Sequence, residues 1–132
     1  MNGRLLLSLC CALLLAGCVT GRKQTAPEPT QLSGWIDIER PVLQPVRVTV
    51  TILAHVDGQL LPLQKSNYRV SNLPLKYDFR RLPKSTNSAG LFIRAELRWA
   101  DSPGLQARYQ KRITVAPEKI VLIPMPCFPG CR

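Results

Sequence analysis

Apolar and polar positions alternate with a period of two along most of the chain, and that period predicts strands. Leu32, Gly34, Ile36 and Ile38 alternate with Ser33, Trp35, Asp37 and Glu39. After Pro41 and Pro45, Val46, Val48, Val50 and Ile52 alternate with Arg47, Thr49 and Thr51, a β-branched run and the clearest strand of the chain. Asp57-Gly58 is a turn signal. Leu60 to Leu63 and Asn67 to Val70 read as one interrupted strand, with Pro62 marking an edge or a bulge. Leu73, Leu75, Tyr77 and Phe79 form the next apolar row, and Leu91, Ile93, Ala95, Leu97 and Trp99 the one after. Asp101-Ser102-Pro103-Gly104 predicts a tight turn, followed by an alternating strand from Arg108 to Val115. Ile120 to Met125 is a short, nearly continuous apolar strand. About seven strands with turn signals between them, and no helical period, predict an all-β fold, a seven-stranded antiparallel β-sandwich spanning residues 32–132. Val48, Val50, Ile52, Tyr77, Phe79, Ile93, Leu97 and Trp99 are the expected core.

The beginning of the chain follows a different pattern. Arg4 precedes an apolar run from Leu5 to Leu15, too short to span a bilayer as a helix and suited to the apolar region of a signal peptide. Leu15-Ala16-Gly17-Cys18 then resembles the bacterial lipoprotein box. The resemblance implies cleavage after residue 17 and lipidation of Cys18, including palmitate-type acyl chains. It leaves a mature chain of residues 18–132. Several acyl chains hold a protein stably where one does so marginally. Val19, in place of Asp, favours the outer membrane over the inner one in enteric-type sorting, with the domain facing the periplasm. Residues 18–31 are rich in Pro, Thr and charge and read as a flexible tether. Its thirteen residues after Cys18 reach at most about 45 Å when extended.

Composition narrows the function. The chain of 132 residues carries 18 basic and 8 acidic side chains, a formal charge of +10. Twelve prolines disfavour long helices. With one histidine, His55, and scattered carboxylates, there is no material for a triad with a spare His or a His-based metal cluster, and no Gly-rich phosphate loop is present. No enzyme, cofactor or metal site is expected, and the compartment excludes nucleic acid. Cys127 and Cys131, in Pro-Cys-Phe-Pro-Gly-Cys, suit a disulfide in an oxidising compartment; a free pair or a two-ligand metal site are the alternatives. The excess of Arg and Lys on polar faces is read as solubility, as attraction to an anionic membrane surface, or as steering of an acidic partner.

The Leu15-Ala16-Gly17-Cys18 box, the Val46–Ile52 strand and the stretches Leu73-Pro74-Leu75-Lys76-Tyr77-Asp78-Phe79 and Leu91-Phe92-Ile93-Arg94-Ala95-Glu96-Leu97 together resemble the YscW-type lipoproteins, which include pilotins of type III secretion systems. The resemblance covers roughly residues 32 to 125. It implies a non-catalytic, lipid-anchored β-domain that binds the secretin subunit near its C-terminus and promotes its outer-membrane localisation and ring assembly. The Cys127/Cys131 pair has no counterpart in that pattern. A general envelope lipoprotein of the YbaY kind, binding glycolipid or stabilising the envelope, is the alternative. Trp35 and Phe92, on the polar sides of their strands, are the expected partner contacts, with Arg94 and Arg98 steering.

Overall fold

A computed structural model describes residues 31–82, 90–113 and 119–132. The signal segment, Cys18, the tether up to residue 30, most of the loop expected at 83–90, and Val115 lie outside the described residues. The described chain is all-β, with seven strands: β1 (Leu32–Ile38), β2 (Val46–Val56), β3 (Gln59–Val70), β4 (Leu75–Phe79), β5 (Leu91–Trp99), β6 (Leu105–Arg112) and β7 (Lys119–Pro124).

The strand order is β3-β2-β5-β6-β7-β1-β4. Two half-sheets are recognisable, β3-β2-β5-β6 and β7-β1-β4. They are joined where β6 meets β7 over the two pairs Ala107↔Pro124 and Arg108↔Ile123. At the other side the edge strands β3 and β4 come close enough for the Asp78 N–H to donate to the Tyr68 hydroxyl at 3.4 Å. The sheet is thereby nearly closed on itself, which shields edges that would otherwise template pairing with other chains. All but one of the strand pairs are antiparallel. The exception is β1 with β7, which run parallel with Ile36 opposite Ile120, where antiparallel pairing throughout was expected.

Local chemistry explains the best-formed part. Asp57 and Gly58 both have positive φ, 50° and 80°. Two consecutive left-handed residues make the hairpin turn whose twist matches that of the flanking strands, and Gly at the second position adopts it without a Cβ penalty. The turn sets the register of β2 and β3 from Val56↔Gln59 onward. The register shifts between Ile52 and Leu53, opposite the segment containing Pro62. Pro62 is accommodated because β3 is an edge strand and the ladder is interrupted there by a bulge.

One core lies between the half-sheets. It takes Val46, Val48, Val50 and Ile52 from β2, Leu91, Ile93, Ala95 and Leu97 from β5, and Ala107 from β6. From the facing half it takes Leu32, Ile36, Ile38, Leu75, Tyr77, Phe79, Ile120 and Leu122. Burying each large aliphatic or aromatic side chain contributes about 1.5–3 kcal/mol relative to exposure. Seven of the eight expected core residues are fully buried; Trp99 is half-buried and packs against the edge of the cluster. Burial pushes the Tyr77 phenol up to about 12, with the neighbouring Tyr109 and Tyr68 adding to the effect, so it stays neutral at physiological pH.

Candidate binding site

The C-terminal segment is built against β6 by one bulge. The β5–β6 register shifts between Leu97 and Arg98, so that Leu97 faces Ala107 and Arg98 faces Leu105. Gln106 is the extra residue. A bulge can re-aim a side chain, and here it carries Gln106 into complete burial. Its Nε2 donates to the Cys131 carbonyl at 2.7 Å and to the Gly104 carbonyl at 3.2 Å, while its Oε1 accepts from the Cys131 N–H at 3.4 Å. The Met125 N–H also donates to the Gln106 carbonyl, at 2.8 Å. Buried polar groups cost stability unless they are paired, and Gln106 is paired on both sides of its amide.

These bonds hold a short loop closed by a disulfide between Cys127 and Cys131, whose Cα atoms are 4.9 Å apart. Inside the loop the Gly130 N–H donates to the Cys127 carbonyl at 2.7 Å and the Phe128 N–H to the Met125 carbonyl at 2.9 Å. Gly104 lets the tail pass: a Cβ there would meet backbone atoms of Cys131 and Arg132, with the Cys131 carbonyl carbon at 2.8 Å. Phe128 is thus pressed into the core margin and stacks on Trp99, ring centroids 5.8 Å apart. The Trp99 indole Nε1 donates to the Pro129 carbonyl at 3.0 Å.

The β1–β2 connection supplies the opposite wall. The Ala100 N–H donates to the Pro45 carbonyl at 3.0 Å, fixing this connection beside the end of β5. Between the two walls lies an open groove of about 510 Å³, lined by Arg40, Pro41, Leu43, Gln44, Trp99, Phe128 and Pro129. Leu43 is 90% exposed at its rim. The Arg40 guanidinium sits over the Phe128 ring at 5.8 Å from its centroid and has no carboxylate partner among the described residues. An apolar floor of two aromatic rings, two prolines and a leucine, with one cation at the margin, can hold an apolar peptide segment and offer its polar end a charge. It contains no nucleophile, general base or ligand set.

The residues singled out from sequence fall elsewhere. Trp35 is 49% exposed on the outward side of β1. Phe92 is half-buried, standing opposite Leu53 and Arg112 on the outward side of β5. Arg94 and Arg98 lie on that same side: Arg94 Nε donates to Gln110 at 2.7 Å, and Arg98 pairs with Glu96 at 3.0 Å and bonds the Pro103 carbonyl. Three of the four therefore share one face, while β6 and β7 separate Trp35 from them in strand order. The aromatic groove was missed. Two signals for it were present: Leu43 isolated between prolines, and Phe128 enclosed by the cysteine pair.

No family model matches the chain. It is 28% identical over 130 residues to a type 3 secretion system pilotin of Yersinia enterocolitica, covering 96% of this chain and 94% of that protein. It is 29% identical over 121 residues to a type 3 secretion system pilotin of Pseudomonas aeruginosa, covering 91% and 88%. The similarity covers more than nine tenths of the chain in both cases and agrees with the resemblance carried by the sequence motifs: the chain is similar, over nearly its whole length, to type 3 secretion system pilotins.

Proposed function

We propose that this protein is the pilotin of a type III secretion system: a lipoprotein anchored to the outer membrane through Cys18 that binds the secretin subunit and promotes its localisation and ring assembly. The observation that carries the reading is the near full-length similarity to two pilotins. It is supported by a domain whose aromatic groove can hold an apolar peptide segment. A secretin subunit exposes unpaired strand edges before its ring closes, which is hazardous in a watery compartment. A partner that holds one segment of it and is itself carried to the membrane limits that exposure.

The groove between the β1–β2 connection and the disulfide loop is the proposed seat of the secretin segment. Its aromatic floor gives an apolar side chain a desolvated pocket, the usual source of binding energy in a small interface. Leu43→Asp puts a charge at the rim without touching the core, because Leu43 is solvent-exposed. In pull-down of secretin by the unlipidated domain, this variant should lose most of the secretin that the wild type retains. Equal capture by both would remove the groove from the proposal, and no capture by the folded wild type would remove secretin binding itself.

A further inference from the structure

The outward side of β3-β2-β5-β6 concentrates positive charge in register. On one rung Arg69, Arg47 and Arg98 stand directly opposite one another on three adjacent strands. The next rung holds Asn67, Thr49, Glu96 and Arg108, and the one after it Lys65, Thr51, Arg94 and Gln110. These three rungs carry six cations against one carboxylate. Like charges directly opposite in a sheet are destabilising, so the arrangement works against the fold. The relief is slight. Arg98 pairs with Glu96, and Arg69 reaches Asp101 at 3.6 Å in a largely exposed pair. Arg47, Lys65 and Arg108 have no ion-pair partner among the described residues.

The outward side of the other half-sheet is different. Around Trp35 its register places Lys76 and Lys119 together with Asp37 and Asp78, two cations against two carboxylates, and Lys119 pairs with Asp37 at 3.4 Å. Charge serving only solubility would be mixed in sign on both sides. Here the excess is gathered on one side.

We propose that this cationic face docks on a bilayer surface rich in acidic phospholipid, setting the orientation of the domain on the membrane. Three observations favour a membrane over an acidic peptide. The array is two-dimensional: four strands at about 4.8 Å spacing and three rungs about 7 Å apart cover roughly 14 by 14 Å, whereas one peptide segment would follow a single row. At its centre is a polar depression of about 470 Å³ lined by Arg47, Lys65 and Arg98 together with Glu96, Thr49 and Asn67, three cations to one carboxylate, with no apolar side chain that could anchor a protein partner. Along the same edge strand, two residues before Lys65, the exposed bulge residue Leu63 supplies the apolar margin that interfacial proteins place beside their cations. The aromatic groove is formed by other elements, the β1–β2 connection and the C-terminal loop, so this inference does not depend on secretin binding.

The test uses the chain from residue 18 with Cys18→Ser. Its core is closed within residues 32–128, so folding does not need the anchor. The protein is sedimented with vesicles of phosphatidylcholine alone or of phosphatidylcholine mixed with phosphatidylglycerol. Binding is expected only to the mixed vesicles and should vanish at high salt, where the Debye length shrinks to about 3 Å. Arg47→Gln/Lys65→Gln/Arg108→Gln should weaken it by about a hundredfold. Lys76→Gln/Arg80→Gln/Lys119→Gln, the same loss of charge elsewhere, should cost less than about a tenth of that factor. Circular dichroism and thermal melts establish that both variants fold. Equal binding to the two vesicle types overturns the proposal, as does equal weakening by the two triple variants. Capture of polyglutamate without binding to the mixed vesicles overturns it in favour of an acidic protein partner.

Discussion

Gly104→Ala tests whether the groove is held by the packing of the C-terminal tail on β6. The added Cβ would face the Cys131 carbonyl, with its carbon at 2.8 Å and the Arg132 carbonyl carbon at 2.9 Å. These are backbone atoms, so no side-chain rotation relieves the clash and the tail must move by several tenths of an ångström. The hydrogen bond from Gln106 Nε2 to the Cys131 carbonyl, 2.7 Å long, is the first to open. That leaves the buried Cys131 carbonyl and one of the two Gln106 amide hydrogens unpaired, while the other still reaches the Gly104 carbonyl, a loss of about 1–3 kcal/mol. The cost corresponds to roughly 4–8 °C in Tm per kcal/mol for a domain near this size. The same movement pulls the Pro129 carbonyl from the Trp99 indole and Phe128 from its ring face. In a Trp35→Phe background, where Trp99 is the sole indole, emission should shift to longer wavelength as water enters the groove. Gly58→Ala is the comparison. It destabilises through the left-handed φ of 80° in the β2–β3 turn, with nothing within 4 Å of its new Cβ, and should leave Trp99 emission unchanged. A Gly104→Ala protein that melts with the wild type and keeps its Trp99 emission would refute the reasoning.

Val50→Asp places an unpaired carboxylate at a fully buried position of β2 and should cost several kcal/mol, much of the stability of a small domain; retained cooperative melting near the wild-type Tm would contradict the core assignment. Cys127→Ser/Cys131→Ser opens a loop of only a few residues, so the loss should not exceed about 2 kcal/mol; the larger effect should be on secretin capture, read by pull-down. Burial raises the Tyr77 pKa from 10 to about 12, and a raised folded pKa means the contribution is complete below pH 10 and is lost as pH climbs toward 12. Stability measured by urea unfolding should therefore fall more steeply over that window in the wild type than in Tyr77→Phe, by up to about 3 kcal/mol.

Local pattern and local turn chemistry made much of this fold legible. The valine run of β2, the Asp57-Gly58 turn and the edge position implied by Pro62 each depend on neighbours within a few residues. The parallel pairing of β1 with β7 does not: it joins segments about eighty residues apart, and neither carries a mark of the other. Gln106 is the sharpest case of a hidden residue. A polar side chain in an alternating strand reads as solvated, and only the bulge opposite Leu97 and Arg98 turns it inward. Trp99 was expected in the core by parity but stands at the last rung of β5, where the C-terminal loop covers one side of its ring and the groove leaves another open. Phe92 had the right parity for exposure, yet Leu53 beside it is buried on the same outward side, so this end of the face is partly covered. The arginine rung Arg69-Arg47-Arg98 needed the register of three strands before its charges could be seen to coincide.

The most direct test of the pilotin assignment is the amount of secretin multimer in outer-membrane fractions of a strain lacking this protein, compared with the same strain carrying the wild-type gene. Multimers should disappear from the outer membrane in the deletion strain and return with the wild-type gene. Multimers that form and localise normally in its absence would contradict the assignment.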